Sequence, residues 1–427
     1  MYKSDPVSEP RFRAFAGIDW GDRRHFFAVE DAARGSVERG SLEHTPEQVG
    51  RWVEELLRRF DGGPIALALE QSRGALLAQL MHYPGLVIYP VHPVTAARLR
   101  EAFTPSGAKD DQPDADLLLE LLQRHRDRLR PLEPDTTQTR TLELLVEQRR
   151  KMVDEKTRQK NRLTAELKLY FPQALAWFSQ IDAPVSVRFL RRWPTLDDAQ
   201  RARPATLLRF FERQRCRGSE RNRRRLEAIR QAVPAARDPA VIAGARAIVP
   251  TLLELLEALS EGIARVDEQI GEIVAVHEDY PLFSTLPGAG RRLAPRLLAA
   301  FGTRRERFAC AAQMQAYSGI APVLERSGSR QRIRFRRACP KFVRQTFHEF
   351  ARCSTQYSAW AGAYYRQQRA RGRAHHHVIR SLAFKWIRIL FRCWQSRTPY
   401  DEARYLATLA QRASPLAAQA LAAVETL

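Results

Sequence analysis

The chain has 427 residues, of which 44% are hydrophobic, so it is long and apolar enough to bury the cores of two or three domains. It has 70 Lys and Arg residues against 48 Asp and Glu, and the resulting charge of +22 indicates a polyanionic partner such as nucleic acid. Five scattered cysteines without a C-x-x-C pair argue against a disulfide framework and a zinc ribbon. Since no apolar signal core or membrane span is evident, we expect a soluble cytoplasmic protein with no membrane partner.

The first 130 residues alternate short β-like runs with helical patterns. A helix should begin at Pro46 with Thr45 as its cap, after three strands that could form an antiparallel meander. Three antiparallel strands followed by alternating helices and strands is the order of the ribonuclease-H-like fold, so we predict an α/β domain over residues 1–130. The strands are predicted at residues 14–20, 25–31, 36–44, 65–71 and 85–93.

Residues 136–280 have an almost entirely helical pattern. Five prolines between residues 183 and 240 limit the helices there to short ones. Beyond them, apolar residues recur at alternating spacings of four and three, a heptad pattern for which residues 138–170 are a possible antiparallel partner. A coiled coil and a plain helical bundle both fit this pattern. The apolar positions are Leu252, Leu256, Leu259, Ile263, Val266, Ile270 and Ile273.

The charge surplus is concentrated in the last predicted domain, residues 281–400, which a helical tail at 401–427 should follow. Between Arg291 and Arg397 there are 24 Lys and Arg residues and three acidic residues, so the other three quarters of the chain are almost neutral. A charge kept only for solubility would be scattered more evenly. We therefore expect a localised phosphate-binding surface in this part of the chain.

Four acidic residues of the first domain are candidate metal ligands. Asp19 ends the first strand and Glu70 ends the fourth, and side chains at strand ends of α/β sheets reach the crevice where ligands bind. Asp111 and Asp114, three residues apart, lie on the same face of a predicted helix at its start. Gathered carboxylates repel one another unless cations offset the charge, and their oxygens suit Mg²⁺, with Mn²⁺ as the alternative. Two such ions can activate an attacking oxygen and stabilise a leaving one in phosphodiester chemistry. Taken singly, each acid could instead be a turn cap, an exposed strand end or a first-turn helix charge.

The sequence TLPGAGRRLAPRLLAAFG at residues 285–302 resembles a helix-hairpin-helix. In that motif, backbone N–H groups of the glycine turn contact a DNA phosphate without reading the bases. The candidate nucleic-acid contacts are Gly288, Gly290 and Arg291. The other interpretation is a glycine-rich turn that joins two structural helices.

A second candidate site follows at residues 318–345. Ser327 precedes a basic alternation that predicts a strand or extended arm with one cationic face. Arginines that bind a phosphate beside a serine hydroxyl suit phosphoryl chemistry, although the hydroxyl needs a base or a metal to become nucleophilic. A flexible Ser-Gly-Ser loop next to DNA is the alternative. The arginines of the alternation are Arg330, Arg332, Arg334 and Arg336.

Residues 364–394 interleave aromatic and cationic side chains. Such mixtures can stack on bases or follow an RNA backbone, but they also occur on amphipathic helices whose aromatic residues pack inward. We expect inward packing for Phe384, Trp386 and Phe391. The three consecutive histidines His375–His377 lack the spacing of a helical metal site and should be solvated or face phosphates.

Together these motifs resemble the DEDD transposases of the Piv/MooV DNA-invertase type, insertion-sequence family one-ten, some of which are guided by a bridge RNA. FAGIDW resembles the first acidic motif of the family and supplies Asp19, and ALEQSRG resembles the second and supplies Glu70. K-x-D-x-x-D-A at residues 109–115 resembles the third and supplies Asp111 and Asp114. The block from LPGAGRR to AYSGIAP resembles the second conserved domain of the family, in which the serine five residues past the proline is the nucleophile, here Ser327.

The resemblance implies a RuvC-like first domain, a coiled-coil middle and a mainly helical carboxyl-terminal domain. It implies that Ser327 attacks DNA to form a phosphoserine, assisted by the Mg²⁺-binding acids of another subunit. The implied partners are donor and target DNA, a guide RNA and further copies of the chain, as a homodimer or homotetramer. One departure concerns residues 337–347: RACPKFVRQTF stands where many relatives have a K-x-G-N-x-x-L-R pattern.

The favoured function is therefore a DNA transposase or recombinase that uses a serine nucleophile. The main alternative is a metal-dependent RuvC-like junction nuclease that uses the carboxylates and water without a covalent intermediate. A non-catalytic nucleic-acid-binding protein with a decayed site is the third possibility.

Overall fold

The computed structural model describes residues 12–70, 74–103, 111–216, 218–328 and 330–424. Its contacts divide the chain into an amino-terminal unit, residues 1–134, and a carboxyl-terminal unit, residues 135–427. The predicted helical middle and the predicted last domain thus belong to one unit.

A mixed sheet forms the centre of the amino-terminal unit, with strand order β3-β2-β1-β4-β5. The first three strands form the predicted antiparallel meander, and β4 and β5 run parallel to β1. This strand order agrees with the predicted ribonuclease-H-like arrangement. The elements are β1 (Ala14–Asp19), β2 (Arg24–Asp31), β3 (Val37–Glu43), α1 (Pro46–Arg59), β4 (Ile65–Leu69), α2 (Ala75–Leu80), β5 (Leu86–Pro90), α3 (Pro93–Phe103) and α4 (Asp111–His125).

The burial of the strands follows from their place in the sheet. All five residues of the central parallel strand β4 are buried, as its uninterrupted apolar sequence IALAL requires. The edge strand β3 is mostly exposed and its sequence is correspondingly polar. Next to it, α1 begins as predicted, because Pro46 fits the first turn and the Thr45 hydroxyl accepts a hydrogen bond from the Gln48 N–H at 3.3 Å.

The carboxyl-terminal unit is almost entirely helical. Two buried clusters form its core: one lies around the end of α5 and the start of α11, and the other joins the remaining parts of both helices to α12–α19. The elements are α5 (Thr137–Tyr170), α6 (Gln173–Trp177), α7 (Pro184–Arg192), α8 (Leu196–Arg201), α9 (Pro204–Arg213), α10 (Ser219–Gln231), α11 (Pro239–Ala275), α12 (Tyr280–Ser284), α13 (Gly290–Phe301), α14 (Ala311–Tyr317), β6 (Val323–Ser327), β7 (Arg330–Arg334), α15 (Lys341–Tyr357), α16 (Ala359–Ala370), α17 (His375–Ser396), α18 (Glu402–Gln411) and α19 (Pro415–Val424).

The two long helices α5 and α11 pack side by side and run antiparallel. Near one end the Gln138 side chain donates to the Ile273 carbonyl at 3.1 Å, and farther along Arg149 pairs with Asp267. All seven residues of the predicted heptad pattern are buried or half-buried. The long helix and its antiparallel partner are thus confirmed, while coiled-coil packing between them stays a prediction.

Within the described residues, α11 is the one helix whose length and composition would allow it to cross a membrane. An 18-residue window of α11 has a mean hydropathy of 1.5. Of that window, 28% is buried inside the structure. Leu252, Leu253 and Leu256 pack into the helical core, which accounts for apolar residues in α11 without a membrane.

Aromatic residues fill the core of the carboxyl-terminal end. Trp360, Trp386 and Trp394 are fully buried, and each indole N–H finds an acceptor at 2.7–2.8 Å, as a buried indole requires. Phe384 and Phe391 are half-buried against the same cluster. The expectation of inward packing is therefore confirmed for Phe384, Trp386 and Phe391.

Candidate active site

Asp19 and Glu70 lie at the same edge of the sheet. Strands β1 and β4 are parallel neighbours with Ile18 opposite Leu69, so Asp19 and Glu70 follow at matching positions. Asp19 is nearly buried, with 9% of its surface exposed, and Glu70 is half-buried. The register of the two strands thus accounts for their placement.

Gly17 brings a third acid to this edge. Helix α4 lies directly on β1, and a Cβ atom added to Gly17 would stand 2.2 Å from the Ala115 carbonyl oxygen and 2.5 Å from the Leu119 nitrogen. Only glycine therefore permits this close approach. The approach places Asp114, in the first turn of α4, among the buried polar residues, with 3% of its surface exposed.

The guanidinium of Arg100, on α3, joins the three carboxylates. It binds Asp114 through two hydrogen bonds, one of them 2.6 Å from Nη2 to Oδ2, and Nη2 lies 3.9 Å from Oε2 of Glu70. The hydrogen bond to Asp114 is the main cause that raises the pKa of Arg100, and the charges of Glu70 and Asp19 contribute. We call Asp19, Glu70, Asp114 and Arg100 the acidic cluster.

The acidic cluster fits a divalent cation in donor chemistry, because its acids present hard carboxylate oxygens. In the arrangement observed, however, the described residues include no group of three or more His, Cys, Asp or Glu side chains placed to hold a metal ion. Arg100 supplies the positive charge that gathered carboxylates require. A cation bound by Asp114 would therefore have to replace its hydrogen bonds to Arg100.

Three further acids stand next to Asp114 in the sequence, and the structure describes them to different extents. Asp111 begins α4, as the sequence predicts, but its side chain lies outside the described part of the structure, as does all of Asp110. Asp116 points elsewhere: it binds Arg39 at 2.8 Å in an exposed pair. The i, i+3 partner Asp114, and not Asp116, therefore belongs to the acidic cluster.

Sequence reasoning missed Arg100. It lies between the second and third acidic motifs, on a helix whose sequence, PVTAARLREAF, has no feature that distinguishes Arg100 from Arg98. The fold makes the difference, because Arg98 is exposed while Arg100 is half-buried against Asp114. Spacing alone could not have shown this.

Ser327 lies at the end of an antiparallel hairpin formed by β6 and β7. It is paired with Arg330, Glu325 is paired with Arg332, and Val323 with Arg334. Paired residues point to the same face of a two-stranded sheet, so the Ser327 side chain shares one face with three arginines. The strand and its cationic face are thus as predicted, and Gly328, with φ +57°, makes the turn.

The hairpin is exposed on both faces. Ser327 and every residue of β7 are exposed, including Ile333 with 71% of its surface. Arg334 pairs with Glu325 at 2.9 Å, so one arginine of the face is partly neutralised. Arg336 lies beyond β7, and its side chain donates to the Ala321 carbonyl at 3.4 Å, at the base of the hairpin.

The predicted glycine turn joins α12 to α13. Gly288 has φ +82° and packs against the backbone of Cys353, where a Cβ atom would stand 3.0 Å away. Gly290, with φ +53°, begins α13, and Arg291 is exposed in the first helical turn. A glycine turn between two helices is thus observed, while the helix-hairpin-helix assignment and its role in DNA binding stay predictions.

Not every cation of the basic region lies on its surface. Arg296 is buried, donates to Thr346 at 3.1 Å and pairs with Glu349. Arg305 forms a bidentate pair with Asp279. These arginines stabilise the core, so the phosphate-binding surface is smaller than the count of 24 cations implies.

Comparison with known proteins gives two family matches and several relatives. A model of IS110-type DEDD transposases, described as "Transposase", matches residues 16–172, and "Transposase IS116/IS110/IS902 family" matches residues 280–366. The mini-circle putative transposase for IS117 of Streptomyces coelicolor is 27% identical over 413 residues, covering 95% of this chain and all of that protein. The insertion element IS110 uncharacterized 43.6 kDa protein of the same organism is 25% identical over 395 residues, covering 91% and 95%. The insertion element IS900 uncharacterized 42 kDa protein of Mycobacterium paratuberculosis is 24% identical over 402 residues, covering 91% and 97%.

The sheet with its acidic cluster and the matches at both ends of the chain define the class of protein, a DNA transposase of the DEDD type. The chain belongs to the IS110 family of insertion-sequence transposases. DNA is accordingly its substrate, and DEDD domains typically depend on a divalent metal.

Proposed function

We propose that this transposase cleaves and rejoins DNA through a covalent intermediate on Ser327, assisted by Mg²⁺, or Mn²⁺ in its place, at the acidic cluster. The observation that carries the proposal is the gathering of Asp19, Glu70 and Asp114 around one cationic group at a single sheet edge. Asp111 would be the fourth ligand. Metal-assisted phosphodiester chemistry requires gathered carboxylates of this kind.

In the proposed reaction the Ser327 Oγ attacks the scissile phosphorus. The bond from phosphorus to the oxygen of the departing strand breaks, and that strand leaves with a free hydroxyl. A hydroxyl end of the exchanged strand then attacks the phosphoserine, which restores the serine and rejoins the DNA. Because each step exchanges one phosphate ester for another, the reaction needs no energy from a nucleoside triphosphate.

The hairpin supports this role for Ser327. Arg330 and Arg332 share its face and can bind the non-bridging phosphate oxygens, where they would stabilise the charge of the transition state. A divalent cation held by Asp19, Glu70, Asp111 and Asp114 would, when bound, lower the pKa of an attacking hydroxyl and offset charge on the leaving oxygen. The serine would come from a second copy of the chain, in a homodimer or homotetramer.

The proposed domain organisation assigns a RuvC-like catalytic domain to residues 1–130 and a helical, coiled-coil region to residues 136–280. The serine-bearing transposase domain would span residues 281–400, with residues 401–427 as a helical tail. Gly288, Gly290 and Arg291 would contact a DNA phosphate, and a bridge RNA would select donor and target DNA. The site of action would be the cytoplasm.

The test is to trap the protein–DNA adduct and to identify the linked residue by mass spectrometry. Ser327→Ala should abolish the adduct and strand exchange, because no other group replaces the attacking oxygen. Ser329→Ala, in the same Ser-Gly-Ser sequence, is the matched control and should retain both. An adduct that persists in Ser327→Ala would refute the serine assignment.

The same experiment separates the proposal from a junction nuclease. If Ser327→Ala cleaves DNA at the wild-type rate while Asp19→Asn and Glu70→Gln do not, then water is the nucleophile and the carboxylates act alone. If RNase treatment and repurification leave recombination unchanged, the guide RNA is not required.

A further inference from the structure

The helices α6–α10 form a lobe, residues 171–238, between the end of α5 and the start of α11. Its core has its own aromatic residues and is continuous with buried leucines of both long helices. The two family matches end at residue 172 and begin at residue 280, so neither extends over the lobe beyond its first two residues. The function of the lobe therefore has to be inferred from its own residues.

The lobe is strongly basic. Residues 184–237 include 15 arginines, no lysine and five acidic residues. The expectation that the chain is almost neutral outside residues 291–397 is correct as an average. That average combines a strongly positive segment, residues 184–237, with segments of negative net charge. The parts of the chain outside both basic segments are net acidic.

Many of these arginines are exposed and have no acidic partner. Arg191 pairs with Glu257 and Arg201 with Asp197, but within the described part of residues 203–230 six exposed arginines form no ion pair or hydrogen bond through their side chains. We call these six the arginine surface. They are Arg203, Arg209, Arg213, Arg215, Arg221 and Arg230.

Most of the arginine surface lies around the turn between α9 and α10. Arg209 and Arg213, one helical turn apart, lie opposite the buried face of α9, and Arg215 is in the connection to α10. Arg221 follows in the first turn of α10. Like charges this close in sequence, with no ion pair to the neighbouring Glu212 or Glu220, repel one another, and a polyanion offsets that cost.

The buried aromatic residues distinguish duplex from single-stranded nucleic acid. Single-strand binding uses exposed rings on which bases stack. In the described residues of the lobe no aromatic side chain is exposed: Phe189, Phe210 and Trp193 are buried, and Trp177 is half-buried against Phe171. The lobe thus offers phosphate contacts without a stacking surface.

We propose that the arginine surface binds the phosphate backbone of duplex DNA without reading its sequence. The duplex is favoured because DNA is the substrate of this family and because the lobe lacks exposed rings in its described residues. This inference rests on the DNA substrate and is independent of the serine mechanism. The lobe would hold DNA in addition to the contacts made at the reacting phosphate.

The test measures binding of the full-length chain to a duplex of mixed sequence over a range of KCl concentrations. The lobe variant changes Arg209, Arg213, Arg215 and Arg221 to Gln. We expect the slope of log affinity against log salt to fall by about 0.9 for each phosphate that the variant no longer binds, and affinity to fall at least about ten-fold near 0.1 M salt.

A matched control changes four exposed cations of α5 and α11 to Gln and should bind DNA nearly as the wild type does. The control positions are Arg140, Arg158, Arg162 and Arg265. If lobe variant and control have equal salt slopes, the proposal is wrong. It is also wrong if the lobe variant loses affinity for a single-stranded RNA and keeps its affinity for duplex DNA.

Two further measurements keep the test decisive. Hydrogen exchange of the wild type should slow in α9 and α10 when duplex DNA is added, and unchanged exchange there would overturn the proposal even if the variant misfolds. Repeating the binding series in Ser327→Ala separates the two proposals, because the lobe effect should persist whether or not the serine reacts.

Discussion

At the scale of single residues, Arg100 and a metal ion are expected to compete for the carboxylates of the acidic cluster. Arg100→Gln removes the guanidinium that binds Asp114, so the affinity for Mn²⁺ should rise and metal should stabilise the variant more than the wild type. Thermal unfolding during a Mn²⁺ titration measures this. The control is Arg98→Gln, an exposed change on the same helix. A smaller metal-induced stabilisation in Arg100→Gln would mean that Arg100 organises the ligands rather than competing with the metal.

His25 should make the amino-terminal unit sensitive to acid. Burial, with a contribution from His44, lowers the pKa of His25 to about 4. Its Nδ1 accepts the Gly21 N–H at 3.3 Å and its Nε2 lies 2.8 Å from His44, so protonation of Nδ1 would break the first bond. The pKa of His25 in the folded protein lies below the value of about 6.5 that it has in the unfolded chain. The contribution of neutral His25 to the free energy of unfolding is therefore fully present above pH 6.5 and is lost as the pH falls towards 4.

We expect the free energy of unfolding to decline by about 1 kcal/mol per pH unit below 6.5. His25→Gln retains a donor and an acceptor but does not titrate. Urea unfolding at pH 7 and pH 5 should therefore show a smaller pH effect in the variant. An equal pH effect in both proteins would assign the acid sensitivity to other groups.

At the scale of elements, the core of the lobe depends on Phe189. Its ring is fully buried and lies 5.1–6.2 Å, centroid to centroid, from Trp177, Phe178, Trp193, Phe210 and Phe211. Phe189→Ala should lower stability by about 3–5 kcal/mol, because it removes buried apolar surface and leaves a cavity among these rings.

Hydrogen exchange should then speed up in residues 171–238 and stay unchanged in the sheet of the amino-terminal unit. The control Leu169→Ala removes an exposed side chain and should alter stability by less than about 0.5 kcal/mol. Uniform acceleration of exchange throughout the chain would show that the lobe does not unfold separately.

The elements also show what could be predicted from the sequence. The five strands, the start of α4 and the long helices follow from hydrophobic periodicity and caps, which are local in sequence. The approach of α4 to β1 at Gly17 and the pairing of Arg100 with Asp114 depend on tertiary packing, so no local pattern indicates them. The basic lobe is visible in the sequence as Arg221 and the run Arg223–Arg225, but an average of the charge over three quarters of the chain conceals it.

At the scale of the whole molecule, the charge of +22 should make DNA binding strongly dependent on salt. If six or more phosphates are contacted, affinity should fall by about a thousand-fold or more between roughly 0.05 and 0.2 M salt. Fluorescence anisotropy with a labelled duplex measures this fall. Affinity that stays constant over that range would mean that the surplus charge serves something other than phosphate contacts.

The exposed β6–β7 hairpin has a consequence for the control of DNA breakage. A two-stranded ribbon with both faces in solvent is only marginally stable by itself. The ribbon should therefore fluctuate in the free protein and become rigid only against a nucleic acid or another protein surface. Under the serine mechanism proposed above, the attacking hydroxyl would be held in position only after the complex has assembled, so the free protein would not break host DNA while it diffuses.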